Sequence, residues 1–204
     1  MQVVVEIVQY FLGNLKSCDD EPCRQLHLRV LKNLAMTDTL SIILSHIDSP
    51  DKKTSVSAIK ALAALPSHVF DSAVKNKLED VYFQVGRRYD SSARTLALDI
   101  LLNHQPETEF LNRVLRSISS KHALEISTYT LQRLVEFAGK SPTIRSQIKD
   151  IFASDQAIRN YNTFSQNGKS TAFSRDLYRN SNGNGTFRYF SAFFLSIWKI
   201  GIIF

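Results

Sequence analysis

Residues 160–190, NYNTFSQNGKSTAFSRDLYRNSNGNGTFRYF, decide how the chain is read. Before them, segment after segment has a helical period. Within them the pattern shortens to runs that tend to alternate, broken at Asn167-Gly168 and at Ser181-Asn182-Gly183-Asn184-Gly185. An Asn-Gly pair between strand-like runs is a strong hairpin signal, because both residues tolerate positive φ. The pattern predicts strands at 161–166 and 171–178 and the start of a third at 186–190. A sheet this small is marginal alone, so it either packs on helices or opens something larger. The fold class read here is mainly α, a helical array followed by an incomplete antiparallel β hairpin or sheet.

Upstream, helix follows helix. Val4, Ile7, Val8, Phe11, Leu12 and Leu15 share one face of a first helix. Helices are expected at 24–34 (Val30, Leu31, Leu34 inward) and 37–47 (Leu40, Ile43, Leu44, Ile47 inward). A Ser49-Pro50-Asp51 turn leads into an Ala-rich helix at 54–65 that Pro66 stops. Ser67 is the expected N-cap of the next, with a seam of Phe70, Val74, Leu78, Val81, Tyr82 and Val85. Residues 93–102 repeat the character of 54–65 at an offset of roughly 39 residues, close to the period of HEAT-type helix pairs. Pro106 is expected as a first helical residue, followed by Phe110, Leu111, Val114, Leu115 and Ile118. A helix over 121–138 turns Leu124, Thr128, Leu131, Leu134 and Val135 inward and ends at Gly139. Ser141-Pro142 then caps a last helix carrying Ile144, Ile148, Ile151 and Phe152. Short connections make successive helices antiparallel neighbours.

The 204 residues suffice for one domain, or one domain and a piece of another. Hydrophobic residues at 44% and charged residues at 22% are globular values and exclude disorder over most of the length. The net charge of +6 is spread along the helices with no basic run, which reads as solvated surface. Residues 1–16 carry Glu6 in their apolar part and lack the pattern of a signal peptide. A start inside a helix suggests an internal fragment. Residues 191–204, SAFFLSIWKIGIIF, are an apolar tail too short to span a membrane as a helix, expected to lack its packing partner.

Candidate chemistry is sparse. Cys18 and Cys23 flank four residues in CDDEPC at a helix-to-helix turn. The spacing is not CxxC, no other cysteine accompanies it and the nearest histidine is His27, which argues against a zinc site; a short structural disulfide across the turn is the favoured reading, with free thiols the alternative. His27, His46, His68, His104 and His122 occur singly, in surface or capping roles. Asp19-Asp20-Glu21 lacks the alternating oxygen ligands of a calcium loop. Gly183 and Gly185 do not make a phosphate loop. Asn184-Gly185-Thr186 is an N-glycosylation sequon that matters only in a secretory protein. No catalytic signature, metal set or cofactor motif emerges, so the chain is read as a non-enzyme with no lipid-contacting residue assigned.

Four stretches carry a family resemblance: YFLGNLKSCDDEPC (10–23), SVSAIKALAALP (55–66), RTLALDILLNHQPE (94–107) and, most of all, NYNTFSQNGKSTAF (160–173). In this order they resemble the large lipid transfer proteins, the family of the microsomal triglyceride transfer protein large subunit, vitellogenin and apolipoprotein B. The resemblance implies a two-layer α-α superhelix of antiparallel helix pairs, a HEAT-like horseshoe, over residues 1–158. It makes 159–190 the start of a lipid-binding β-sheet domain and leaves 191–204 as a non-native or truncated tail. It also implies neutral-lipid and phospholipid carriage, loading of apolipoprotein B-type lipoproteins, pairing with protein disulfide isomerase, and residence in the endoplasmic reticulum lumen. Cys18 and Cys23 match a disulfide-bonded pair of the family. Set against that family, the chain is expected to be a fragment, without the signal peptide, the N-terminal barrel and most of the lipid-enclosing sheets. The fragment is therefore expected to scaffold and dock partners, and not to transfer lipid alone.

Two other readings compete. A free-standing cytoplasmic HEAT-like interaction module predicts reduced Cys18 and Cys23 in the cell. A basic nucleic-acid-binding solenoid rests on net charge alone and predicts steeply salt-sensitive binding; no nucleic-acid partner is expected.

Overall fold

The computed structural model describes residues 2–118, 124–154, 173–179 and 186–191. Among these are nine α-helices: α1 (Gln2–Lys16), α2 (Glu21–Leu34), α3 (Leu40–Ile47), α4 (Lys52–Leu62), α5 (Ser72–Phe83), α6 (Ser91–Asn103), α7 (Thr108–Ile118), α8 (Leu124–Lys140) and α9 (Pro142–Ser154). The chain is thus mainly helical. It divides into two compact units, Met1–Gln105 and Pro106–Phe204.

In the first unit α1 packs on α2, α2 and α3 both pack on α4, and α4 and α5 both pack on α6. The residues at α4 and α6 that match in sequence are all buried: Ala58, Ile59, Ala61 and Leu62 on one, Ala97, Leu98, Ile100 and Leu101 on the other. α4 is covered by α2, α3 and α6, and α6 by α4 and α5, which is why these two segments read as apolar on most sides. Aspartates start the helices. Asp20, Asp51, Asp71 and Asp90 each accept a backbone N–H of the first turn, a cap that typically stabilises by about 1 kcal/mol. Ser55 donates to the Ile47 carbonyl over 2.6 Å, so α4 satisfies the open end of α3.

In the second unit α7, α8 and α9 contact one another pairwise. Phe110, Leu111, Val114, Leu115 and Ile118 of α7 are all buried, as the sequence predicts. The backbones of Phe173–Arg179 and Thr186–Ser191 pair antiparallel, with an irregularity between Asp176 and Tyr178. The expected strand at 161–166, its Asn167-Gly168 turn, the sequon Asn184, His122 and the tail 192–204 lie outside the described residues.

Several expected boundaries are corrected. Ser67 begins a 3-10 turn, and the cap of α5 is Asp71, whose carboxylate accepts from Val74 N at 2.9 Å. Val85 leaves the seam and is 57% exposed. Gln84 takes a left-handed conformation (φ 60°) that ends α5 and turns the chain outward. Pro106 precedes α7 rather than starting it; its carbonyl instead accepts from Gln147 Nε2 of α9. Gly139 does not end α8, which runs to Lys140. Arg145 of α9 donates to the Ala138 and Gly139 carbonyls, so no left-handed glycine is needed there. Ile7 faces solvent at 42% exposure, while Val8 and Leu15 hold the α1 seam. Thr128 is only half-buried, and Ile126, Ser127 and Thr130 take the inward face beside Leu131 and Leu134.

Candidate functional site

The turn between α1 and α2 is built around Cys18 and Cys23, which form a disulfide with Cα atoms 5.6 Å apart. Asp20 caps α2 by accepting from Cys23 N at 2.8 Å. Arg24 Nη1 donates to the carbonyls of Cys18 and Asp19, each at 3.1 Å, and clamps the loop from the other side. One helical turn beyond Cys23, His27 Nδ1 lies 2.9 Å from the Cys23 carbonyl and donates to it. The same nitrogen is 3.4 Å from Cys18 Sγ and 3.6 Å from Cys23 Sγ. Ligand atoms of all three residues fall within 4.8 Å of one another. With the sulfurs bonded to each other, neither offers the thiolate a metal requires. The arrangement is a cross-linked, hydrogen-bonded corner.

A second polar knot lies at the end of α3. Asp48 accepts from Tyr89 OH at 2.5 Å and from Lys77 Nζ at 2.5 Å. Arg87 donates to the Asp48 and Ser49 carbonyls and lies over the Tyr89 ring at 4.8 Å. Burial alone pushes the Asp48 carboxyl up, but the bonds from Lys77 and Tyr89 and the charges of Lys77 and Arg87 outweigh it and hold the group below the usual carboxylate range. Burial and the Asp48 carboxylate push the Tyr89 phenol up, so it remains a proton donor. This knot ties the α3–α4 corner to α5 and to the segment before α6.

Two of the other described histidines, His46 and His104, make structural contacts. His104 stacks on Phe70 with ring centroids 3.8 Å apart. His46 Nδ1 donates to the Ile42 carbonyl at 2.8 Å, and His68 is exposed.

The surface also has a cleft of about 400 Å³ between α2, α4 and the start of α6. Arg29, Lys52, Lys53 and Lys60 line it, with Asp90 the only carboxylate among the described residues of its wall. Reading the charge as spread along the helices missed this assembly. Arg29 and the three lysines lie on different helices, and only the packing of α2 on α4 brings them together. No helix among the described residues is long and apolar enough to cross a membrane.

No family model matches. The chain is 37% identical over 174 residues to the microsomal triacylglycerol transfer protein of Drosophila melanogaster, an alignment covering 84% of this chain and 19% of that protein. It is 25% identical over 191 residues to the microsomal triglyceride transfer protein large subunit of Homo sapiens, covering 92% and 21%. Against the Danio rerio large subunit it is 24% identical over 174 residues, covering 85% and 20%. These relatives are lipid transfer proteins by name. The chain belongs to the microsomal triglyceride transfer protein family and spans about a fifth of the length of the curated relatives it matches.

Proposed function

We propose that this chain is helical scaffold of a lipid transfer protein, whose whole carries triglyceride, other neutral lipids and phospholipids between membranes. The observation that carries the reading is the 37% identity to the Drosophila microsomal triacylglycerol transfer protein over 84% of the chain. Lipid carriage moves an apolar molecule from one membrane to another through an apolar enclosure and needs no bond-making residue. That fits a chain whose described polar groups cap and cross-link helices, and the reading is of a carrier, not an enzyme.

In this proposal residues 1–158 form a two-layer superhelix of antiparallel pairs, and 159–190 begin a lipid-binding sheet that the rest of a longer protein completes. The Cys18–Cys23 disulfide supports residence in an oxidising compartment, the endoplasmic reticulum lumen. There the helical surface docks protein disulfide isomerase, and the whole protein loads apolipoprotein B-type lipoproteins. The 204-residue chain by itself scaffolds and docks without transferring lipid. The test is transfer of a fluorescent triglyceride between donor and acceptor vesicles. The purified chain is expected to leave the rate at its protein-free value, and robust transfer by the chain alone overturns the proposal.

A further inference from the structure

We propose that the cleft between α2, α4 and α6 is a docking site for an anionic phospholipid surface, taking one phosphate-bearing headgroup. The inference rests on the lipid-carriage reading and adds to it a place where the scaffold meets the membrane.

The first observation is uncompensated charge. Among the described residues Arg29, Lys52 and Lys60 have no ion-pair partner. Lys53 reaches Glu21 only at 3.8 Å, with 78% of its own side chain exposed. Asp90 is committed to its own helix, accepting from Ser92 N at 2.9 Å. A concave wall bearing several cations and one occupied carboxylate concentrates anions. The second observation is size. About 400 Å³ suits a single headgroup rather than a length of folded acidic protein. Ser57 adds a hydroxyl to the lining, able to donate to a phosphate oxygen.

The third observation separates a bilayer from a dissolved anion. Leu26 stands one helical turn before Arg29 on α2 and is 60% exposed. A leucine beside a cluster of long cationic side chains is the pairing that binds membrane interfaces: the cations meet phosphates while the apolar side chain enters the acyl boundary. A site for free phosphate has no use for that leucine.

The experiment is flotation of the full chain with phosphatidylcholine vesicles, with and without phosphatidylserine, at low and high salt. Anionic vesicles should bind the chain in a salt-sensitive way and neutral ones should not. Lys52 and Lys60 are both exposed on α4, so Lys52→Ala/Lys60→Ala keeps the fold, which circular dichroism checks. A basic residue near an anionic membrane contributes roughly fivefold in affinity, so the double variant should bind about twenty-five-fold more weakly. Lys16→Ala/Lys75→Ala removes the same charge outside the cleft and should bind nearly as wild type does. Leu26→Ser should weaken vesicle binding and leave any interaction with inorganic phosphate unchanged. Equal losses in the two lysine pairs, indifference to phosphatidylserine, or binding of inorganic phosphate or polyglutamate without vesicle binding would each overturn the site. If the site fails while the transfer experiments hold, the cleft is wrong and lipid carriage stands.

Discussion

Tyr89 donates a 2.5 Å hydrogen bond to the carboxylate of Asp48, joining segments 41 residues apart. Tyr89 is buried, so its hydroxyl has little alternative partner once Asp48 is lost. Tyr89→Phe should destabilise the chain by about 1 kcal/mol, less than the roughly 1.5–3 kcal/mol of a bond to a charged group, because Asp48 is half exposed to water. The measurement is the shift in urea midpoint. The same knot sets an acid limit. Asp48 is held below its ordinary 3.8, so its contribution is full above that pH and is lost as the pH falls through the lowered folded value. Asp48→Asn should be less stable near neutrality and show a shallower loss on acidification.

His104 responds to pH over a different range. Burial first, and then the charge of Lys75, holds its imidazole below the usual 6.5. The unfolded chain therefore binds the proton more readily than the folded one. The stability contributed by neutral His104 is complete above about pH 6.5 and declines as pH falls toward the lowered folded value. His104→Phe, which preserves the stack on Phe70, should flatten that part of the stability-against-pH curve. An unchanged slope counts against the assignment.

The disulfide makes a separate prediction. Chain-entropy bookkeeping for so short a loop gives about 2 kcal/mol. Cys18→Ala/Cys23→Ala should therefore lower the thermal midpoint by several degrees without changing the helical signal. Thiol labelling in cells tests the compartment: the pair should resist alkylation until a reductant is added. Free, reactive thiols in the native cell contradict a luminal location.

The packing of α4 and α6 is tested by size. Ala97 has no exposed surface, so Ala97→Leu forces side chains into a filled interior. The expected cost is about 1–3 kcal/mol. A neutral effect would mean that the α6 interior has room to spare.

Much of this was legible in the residues. The α7 stripe, the Ser141-Pro142 start of α9 and the apolar match of α4 and α6 follow from periodicity and local chemistry alone. What misled were endings settled by distant partners. Gly139 reads as a stop, yet Arg145 satisfies the carbonyls around it. Val85 continues the α5 period by count, but Gln84 leaves the helix first. Of the site, the Cys18–Cys23 corner is visible because its residues are neighbours in sequence. The basic cleft is only partly visible: Lys52, Lys53 and Lys60 share one face of α4 at helical spacing, but Arg29 of α2 joins them only through packing. The Asp48–Tyr89 pair spans too much chain for any local pattern.

The central claim is that these helices are working scaffold in a triglyceride carrier. It is tested most directly by replacing the matching segment of the Drosophila microsomal triacylglycerol transfer protein with residues 1–154 of this chain and measuring fluorescent triglyceride transfer between vesicles. The account predicts a folded chimera that transfers at a rate within a few-fold of the parent. A chimera that is folded and stable but transfers no triglyceride would contradict it.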